Sequence, residues 1–84
     1  MMVSIGDVTT WDTGCDIWKQ AAKVTEEAIE VWLAVERDEG RGRVIEECTD
    51  VIQAVCNLLA ILGIDDCTPH MDACKKRNEE RGRL

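Results

Sequence analysis

The 84-residue sequence has little of what many enzyme active sites use. It contains one histidine, one proline, three tryptophans, and no tyrosine or phenylalanine. It has no glycine-rich phosphate loop, which argues against P-loop and kinase chemistry. It also has no Glu-x-x-His pair, and helical di-iron carboxylate sites use two of these. The side chains that remain for chemistry are mainly carboxylates, cations and thiols.

The five cysteines do not look like a disulfide framework. Their number is odd, no C-x-x-C occurs, and Cys48 and Cys56 fall within an apolar helical pattern. This usage favours a reducing compartment. The N-terminus lacks the basic and apolar regions of a signal peptide. The longest apolar run, residues 51–64, is too short to span a bilayer. We therefore expect a cytoplasmic protein with no membrane partner.

One group of softer ligands, Cys67, His70 and Cys74, invites a zinc interpretation. Structural zinc normally takes four ligands, however, and Cys67 falls outside the predicted helix. We favour the alternative that His70 is a solvated surface residue near a helix N-terminus.

Hydrophobic periodicity predicts an all-α fold, a small helical bundle within a single domain. Residues 1–12 show no sustained period and are expected to form a loose N-terminal arm. The first helix is predicted over residues 14–38, with Thr13 as its N-cap and glycines 40 and 42 in the turn that follows. The second helix is predicted over residues 43–62.

A shorter third helix is predicted to end near Arg81, with Thr68 as its N-cap and Pro69 at its first position. Its apolar content is thin, so we expect it to pack lightly on the other two helices or on a partner chain.

The first helix is apolar over an arc of about 200°, roughly twice what an ordinary surface helix buries. Two helices of one chain cover only part of such an arc, so a homodimer or homotetramer is expected to complete the bundle. Trp11, Trp18 and Trp32 recur at heptad-like spacing. Core or interface packing is the favoured interpretation of these indoles, and base stacking is the alternative.

Two pairs of carboxylates lie three residues apart, Glu27 with Glu30 and Glu47 with Asp50. Each pair shares one face of its helix. If the two helices face each other, four negative charges meet in one cleft and repel. One or two Mg²⁺ ions would resolve this conflict, with Mn²⁺ as an alternative. The competing interpretation is an ordinary solvated acidic face.

The pattern E-E-x-x-E, a gap of 16 residues, then E-x-x-D resembles the MazG-like all-α nucleoside triphosphate pyrophosphohydrolases. The resemblance covers residues 18–81. It implies a Mg²⁺-dependent hydrolase that converts a nucleoside triphosphate to the monophosphate and pyrophosphate. The four carboxylates would hold the metal and act through a metal-bound water, with Glu26 as a reserve or outer ligand. The implied substrate-binding residues are the basic, asparagine-containing segment and one lysine of the first helix: Lys75, Lys76, Asn78, Arg81 and Lys23.

The charge distribution is consistent with a metal site in the acidic body of the chain and a phosphate-binding segment in its basic tail. The net charge of −7 argues against binding a nucleic-acid polymer. Residues 75–84 nevertheless carry +3, which leaves −10 on the rest. A basic helix end that only complements the helix dipole is the simpler alternative for the tail. For the whole chain, the rival to an enzyme is a non-catalytic helical module that associates with itself through the wide apolar face.

Overall fold

The computed structural model describes residues 1–84, and all of its regular structure is helical. The order is α1 (Ile17–Glu36), α2 (Arg41–Ile61) and α3 (Thr68–Glu80), without strands. The predicted all-α fold, with two long helices and a shorter C-terminal one, is confirmed. None of the three helices combines the length and apolar character of a bilayer-crossing segment.

The start of α1 corrects the expected N-cap. Asp16 occupies the N-cap position, and its Oδ1 accepts a 2.8 Å hydrogen bond from the backbone N–H of Lys19. Thr13 instead donates from Oγ1 to Oε1 of Gln20 at 3.1 Å. Both residues are of capping type, and the one nearer the helical run satisfies an otherwise free N–H of the first turn.

A short turn reverses the chain between α1 and α2. Asp38 and Gly40 both adopt positive φ, 51° and 97°, and Gly40 is the N-cap of α2. The two helices run antiparallel, since Gln20 Nε2 donates to the carbonyl oxygen of Ala54 at 3.0 Å while Glu27 lies beside Glu47 nearer the turn. This register brings the two acidic segments together.

The third helix begins at an acidic turn. Oδ1 of Asp66 accepts a hydrogen bond of 3.0 Å from the backbone N–H of Thr68, and hydrogen bonding by Thr68 lowers the pKa of Asp66. Thr68 is thus not the N-cap that we expected, because Cys67 takes that position without a side-chain bond. No Cα of α3 lies within 8 Å of α1 or α2, so α3 stands apart from the helical pair.

The single chain has a very small hydrophobic core. Five residues are buried, of which only Ala34 and Ala54 are hydrophobic, and the others are Gln20, Glu47 and Asn57. The α1–α2 contact therefore runs along the polar edges of both apolar faces rather than through their centres. Most of the apolar side chains of α1 and α2 are left half-covered or exposed.

Three large apolar residues of α1 are exposed along one side of the helix, which we call the α1 seam. Trp18, Ile29 and Trp32 lie on it with exposed fractions of 82%, 51% and 61%. Counted at 100° per residue, they fall within about 60° of one another, while Gln20, Glu27 and Ala34 lie on the opposite side of the helix. The helix α2 covers one side of the wide apolar arc and leaves the seam open.

Candidate metal centre between α1 and α2

Three of the predicted carboxylates converge. One oxygen from each of Glu27, Glu47 and Asp50 lies within 4.8 Å of the other two. Glu27 is partly buried, Glu47 is only 4% exposed, and Asp50 faces solvent. The cluster is thus anchored in the helix contact and open on one side. Three carboxylates so close together repel, and an oxygen-seeking divalent cation would compensate them.

The buried carboxylate of Glu47 has one cationic partner within the chain. Nη2 of Arg43, one helical turn earlier, lies 2.7 Å from Oε1 of Glu47. The same guanidinium also pairs with Glu46 at 3.1 Å and Glu39 at 3.6 Å. The hydrogen bond to Glu46 and the charge of Glu47 raise the pKa of Arg43 above its usual value. One half-exposed guanidinium is thus shared among three carboxylates, which leaves Glu47 incompletely compensated.

The remaining acidic residues of the predicted motif lie outside this cluster. Glu30 is exposed, and its carboxylate is not among the three that converge. Glu26 is also exposed and pairs with Lys23 at 3.5 Å. The predicted first pair therefore contributes Glu27 to the cluster directly, while Glu30 stays a predicted ligand.

Two members of the cluster, Glu27 and Asp50, line a cleft of about 520 Å³. Glu27, Asp50 and Lys23 contribute to its wall, so one of the predicted substrate-binding residues lies beside the carboxylates. The rest of the wall comes from residues that precede α1, from Gln20 of α1 and from α2, and it includes Trp11, Gln53 and Asn57.

The basic residues of the C-terminal segment are not near the cluster within one chain. Lys75, Lys76, Asn78 and Arg81 all lie on α3 or at its end, and α3 packs on neither α1 nor α2. Asn78 is held locally, since its Oδ1 accepts from Nη1 of Arg83 at 3.1 Å. Donor atoms of Cys67, His70 and Cys74 do not come together either, because the carboxylate cluster is the only such group of potential ligands.

Sequence reasoning missed three amides that build the site. Gln20 is the most enclosed side chain of the chain, at 1% exposure, and ties α1 to both α2 and Thr13. Gln53 and Asn57 lie one turn apart on α2 and bond each other at 3.2 Å. The sequence offered a signal for Gln53 and Asn57, because these two polar residues interrupt the apolar run of α2 at a spacing of four residues.

We expect Arg43→Ala to lower the metal-free melting temperature and to enlarge the stabilisation by Mg²⁺. Removing the guanidinium leaves the nearly buried carboxylate of Glu47 beside two like charges without its cationic partner, which destabilises the metal-free protein. Arg41→Ala, which removes an exposed arginine without an ion pair at the start of α2, is the matched control. Melting in EDTA and in millimolar Mg²⁺ gives both quantities, and an equal Mg²⁺ shift in both variants would contradict the arrangement.

Comparisons with known proteins return no match: no family model, no curated protein and no solved structure is significantly similar to this chain.

Proposed function

We propose that the protein is a Mg²⁺-dependent nucleoside triphosphate pyrophosphohydrolase that produces a nucleoside monophosphate and pyrophosphate. The observation that carries this proposal is the convergence of Glu27, Glu47 and Asp50 from two antiparallel helices, beside a cleft that Glu27 and Asp50 line. The resemblance of the E-E-x-x-E and E-x-x-D segments to MazG-like enzymes supplies the reaction.

The residues of the cluster fit a hard divalent cation. Glu27, Glu47 and Asp50 offer only oxygen donors, which suits Mg²⁺ or Mn²⁺ better than softer metals. They would hold the ion, with Glu30 as a further predicted ligand. When bound, the ion would neutralise phosphate oxygens and make a water molecule more acidic. Catalysis of this kind rests on positioning and charge, so a lack of nucleophile–base pairs is no objection.

The phosphate chain needs cations in addition to the metal. Lys23 lies in the cleft wall beside Glu27 and is well placed to contact it. Lys75, Lys76, Asn78 and Arg81 would reach a cleft only if α3 of one chain lies against another chain, because α3 does not pack on its own helical pair. We therefore place these four residues at the site of a neighbouring subunit.

A homo-oligomer also accounts for the exposed apolar surface. The chain exposes 6794 Å². A compact monomer of this mass exposes about 5,000 Å², so the excess is roughly 1,800 Å² per chain. A standard interface buries about 800 Å² per partner, so one or two self-contacts fit the excess. The α1 seam, with Trp18, Ile29 and Trp32, is the surface that we assign to the first of them.

The same seam favours the rival function, a non-catalytic helical module that associates with itself. The two functions differ in their response to metal, because a bound ion stabilises the folded state by mass action. Thermal melting in EDTA and in millimolar Mg²⁺ or Mn²⁺ separates them. A rise in melting temperature with either ion supports the enzyme, whereas an unchanged value favours the module.

The activity itself is tested by measuring pyrophosphate release across the common ribonucleoside and deoxyribonucleoside triphosphates. We expect release that depends on Mg²⁺ or Mn²⁺ and stops with EDTA. No release from any of these nucleotides, by a protein that is folded and oligomeric, would argue for the module.

We expect a triple alanine substitution of Lys75, Lys76 and Arg81 to raise KM while leaving folding almost unchanged. These side chains are exposed on a helix without buried residues, so stability should change by less than about 0.5 kcal/mol. The loss of affinity should be largest at low salt, where charge attraction is least screened. KM measured at two ionic strengths checks this. A wild-type KM would show that the tail is only a solvated helix end.

A further inference from the structure

Two amide side chains of α2 line the cleft on the side away from the α1–α2 turn. Nε2 of Gln53 donates to the carbonyl oxygen of Thr9 at 3.0 Å and to Oδ1 of Asn57 at 3.2 Å. A primary amide carries two N–H donors, so both bonds form at once. Gln53 therefore fixes the N-terminal arm to α2 and also sets the orientation of the Asn57 amide.

The donor group of Asn57 is left free by this arrangement. The residue is only 4% exposed, its Oδ1 is occupied by Gln53, and its Nδ2 makes no hydrogen bond within the chain. No fully enclosed side-chain polar atom lacks a partner, so Nδ2 keeps some accessible surface, and the cleft is the opening that Asn57 lines. This N–H group is therefore available to an acceptor on a ligand in the cleft, and a hydrogen bond to that acceptor would contribute to binding.

The free donor lies at a suitable distance from the carboxylates. Asn57 follows Asp50 by seven residues on the same face of α2, which places the two about 10 Å apart along the helix. A nucleotide whose phosphates lie at the carboxylate cluster would extend its nucleoside in this direction.

The N-terminal arm adds an aromatic residue to the same cleft. Trp11 lines the cleft and keeps 59% of its surface exposed. The arm is attached on both sides of it, by Thr9 to Gln53 and by Thr13 to Gln20. An indole that is held in place but uncovered offers a flat apolar surface to a planar ring.

We propose that Asn57 and Trp11 bind the nucleoside of the substrate, Asn57 by donating from Nδ2 and Trp11 by stacking, and that Gln53 is the positioning residue for both. This inference rests on the proposed function and assigns the end of the cleft that recognises the base and sugar. The carboxylate end binds the metal and phosphates, so the two ends contribute separately to affinity.

The contributions of the two ends to binding are separated with two kinds of ligand, both of which carry a chain of three phosphates and only one of which carries a nucleoside. In Mg²⁺, calorimetry compares the α,β-methylene analogues of the four common deoxynucleoside triphosphates, which resist cleavage at this bond, with inorganic tripolyphosphate, which has no nucleoside. We expect the wild-type protein to bind at least one analogue more tightly than tripolyphosphate. Trp11→Ala should weaken that analogue by about tenfold, the scale of base–aromatic stacking, and Trp11→Phe should restore most of the loss.

The amides are tested in the same way. Asn57→Ala and Gln53→Ala should each weaken the analogue by about fivefold, the scale of a neutral hydrogen bond, with tripolyphosphate affinity unchanged. A purely structural role would weaken both ligands together. That result, or unchanged analogue affinity in any one of Trp11→Ala, Asn57→Ala and Gln53→Ala, would overturn the inference while leaving the proposed metal and phosphate site intact. Absence of binding of either ligand to the wild-type protein would overturn the proposed function as well.

Discussion

Asp50→Asn should reduce Mg²⁺-dependent pyrophosphate release by about 100-fold or more without unfolding the protein. Even substitutions that only support a metal ligand often cost 10- to 100-fold in affinity or activity, and this change removes charge from the ligand itself. Asp50 is also the solvent-facing member of the cluster, so its replacement by an isosteric amide disturbs little packing. The loss of one of three repelling charges should leave the metal-free melting temperature unchanged or higher.

The matched control for this variant is Asp72→Asn, which makes the same chemical change at an exposed position of α3 outside the cluster. Circular dichroism of both variants should show wild-type helicity. Turnover by Asp50→Asn close to that of the control would exclude Asp50 from the metal site. Glu30→Gln is a useful companion, because the resemblance predicts a ligand there and turnover should fall with it too.

Charge placed on the α1 seam should dissociate the oligomer and abolish activity. We expect Trp18→Glu combined with Ile29→Glu to sediment as a 9.4 kDa monomer at micromolar concentration. At the same concentration we expect the wild-type protein to sediment as a dimer or tetramer. Truncating a buried interface hot spot costs about 2 kcal/mol or more, which is roughly thirtyfold in affinity, and tryptophan is a frequent hot spot. Two buried charges add a further desolvation cost.

Val3→Glu is the matched control, since Val3 is 75% exposed but lies in the N-terminal arm, outside both α1 and α3. It should keep the wild-type mass if the seam is the main contact. A wild-type protein that is a stable folded monomer and still hydrolyses nucleotides would contradict the requirement for assembly. A folded wild-type monomer without activity would keep the fold and remove the support for an enzyme.

The helices were predictable because apolar periodicity and turn residues are local signals. Their observed ends fall within three residues of the expected ones, and the carboxylates of Glu27, Glu47 and Asp50 converge as the spacing on two facing helices implied. The wide apolar arc of α1 could also be predicted from the sequence, and Trp18, Ile29 and Trp32 on that arc are exposed in the structure.

The sequence did not show which part of that arc meets α2. Periodicity defines an apolar face, whereas contact between the helices is also set by partners far away in the chain. Gln20 satisfies its amide on the carbonyl oxygen of Ala54, 34 residues later, and this bond draws the polar edge of α1 into the contact. The bond from Gln53 to Thr9 spans 44 residues and has no local signal either.

The position of α3 was open for a different reason. The helix has no buried residue and little apolar surface, so nothing in its pattern selects a packing partner within the chain. Its expected contacts with α1 and α2 are absent, and the alternative of a partner chain stays a prediction.

Phosphorus NMR of a nucleoside triphosphate incubated with the protein and Mg²⁺ tests the proposed reaction most directly, because it identifies the bond that is cut. The three carboxylates and their cleft predict resonances of pyrophosphate and the nucleoside monophosphate, absent with EDTA and strongly reduced in Asp50→Asn. Nucleoside diphosphate with inorganic phosphate, or an unchanged triphosphate spectrum from the folded oligomer, would contradict it.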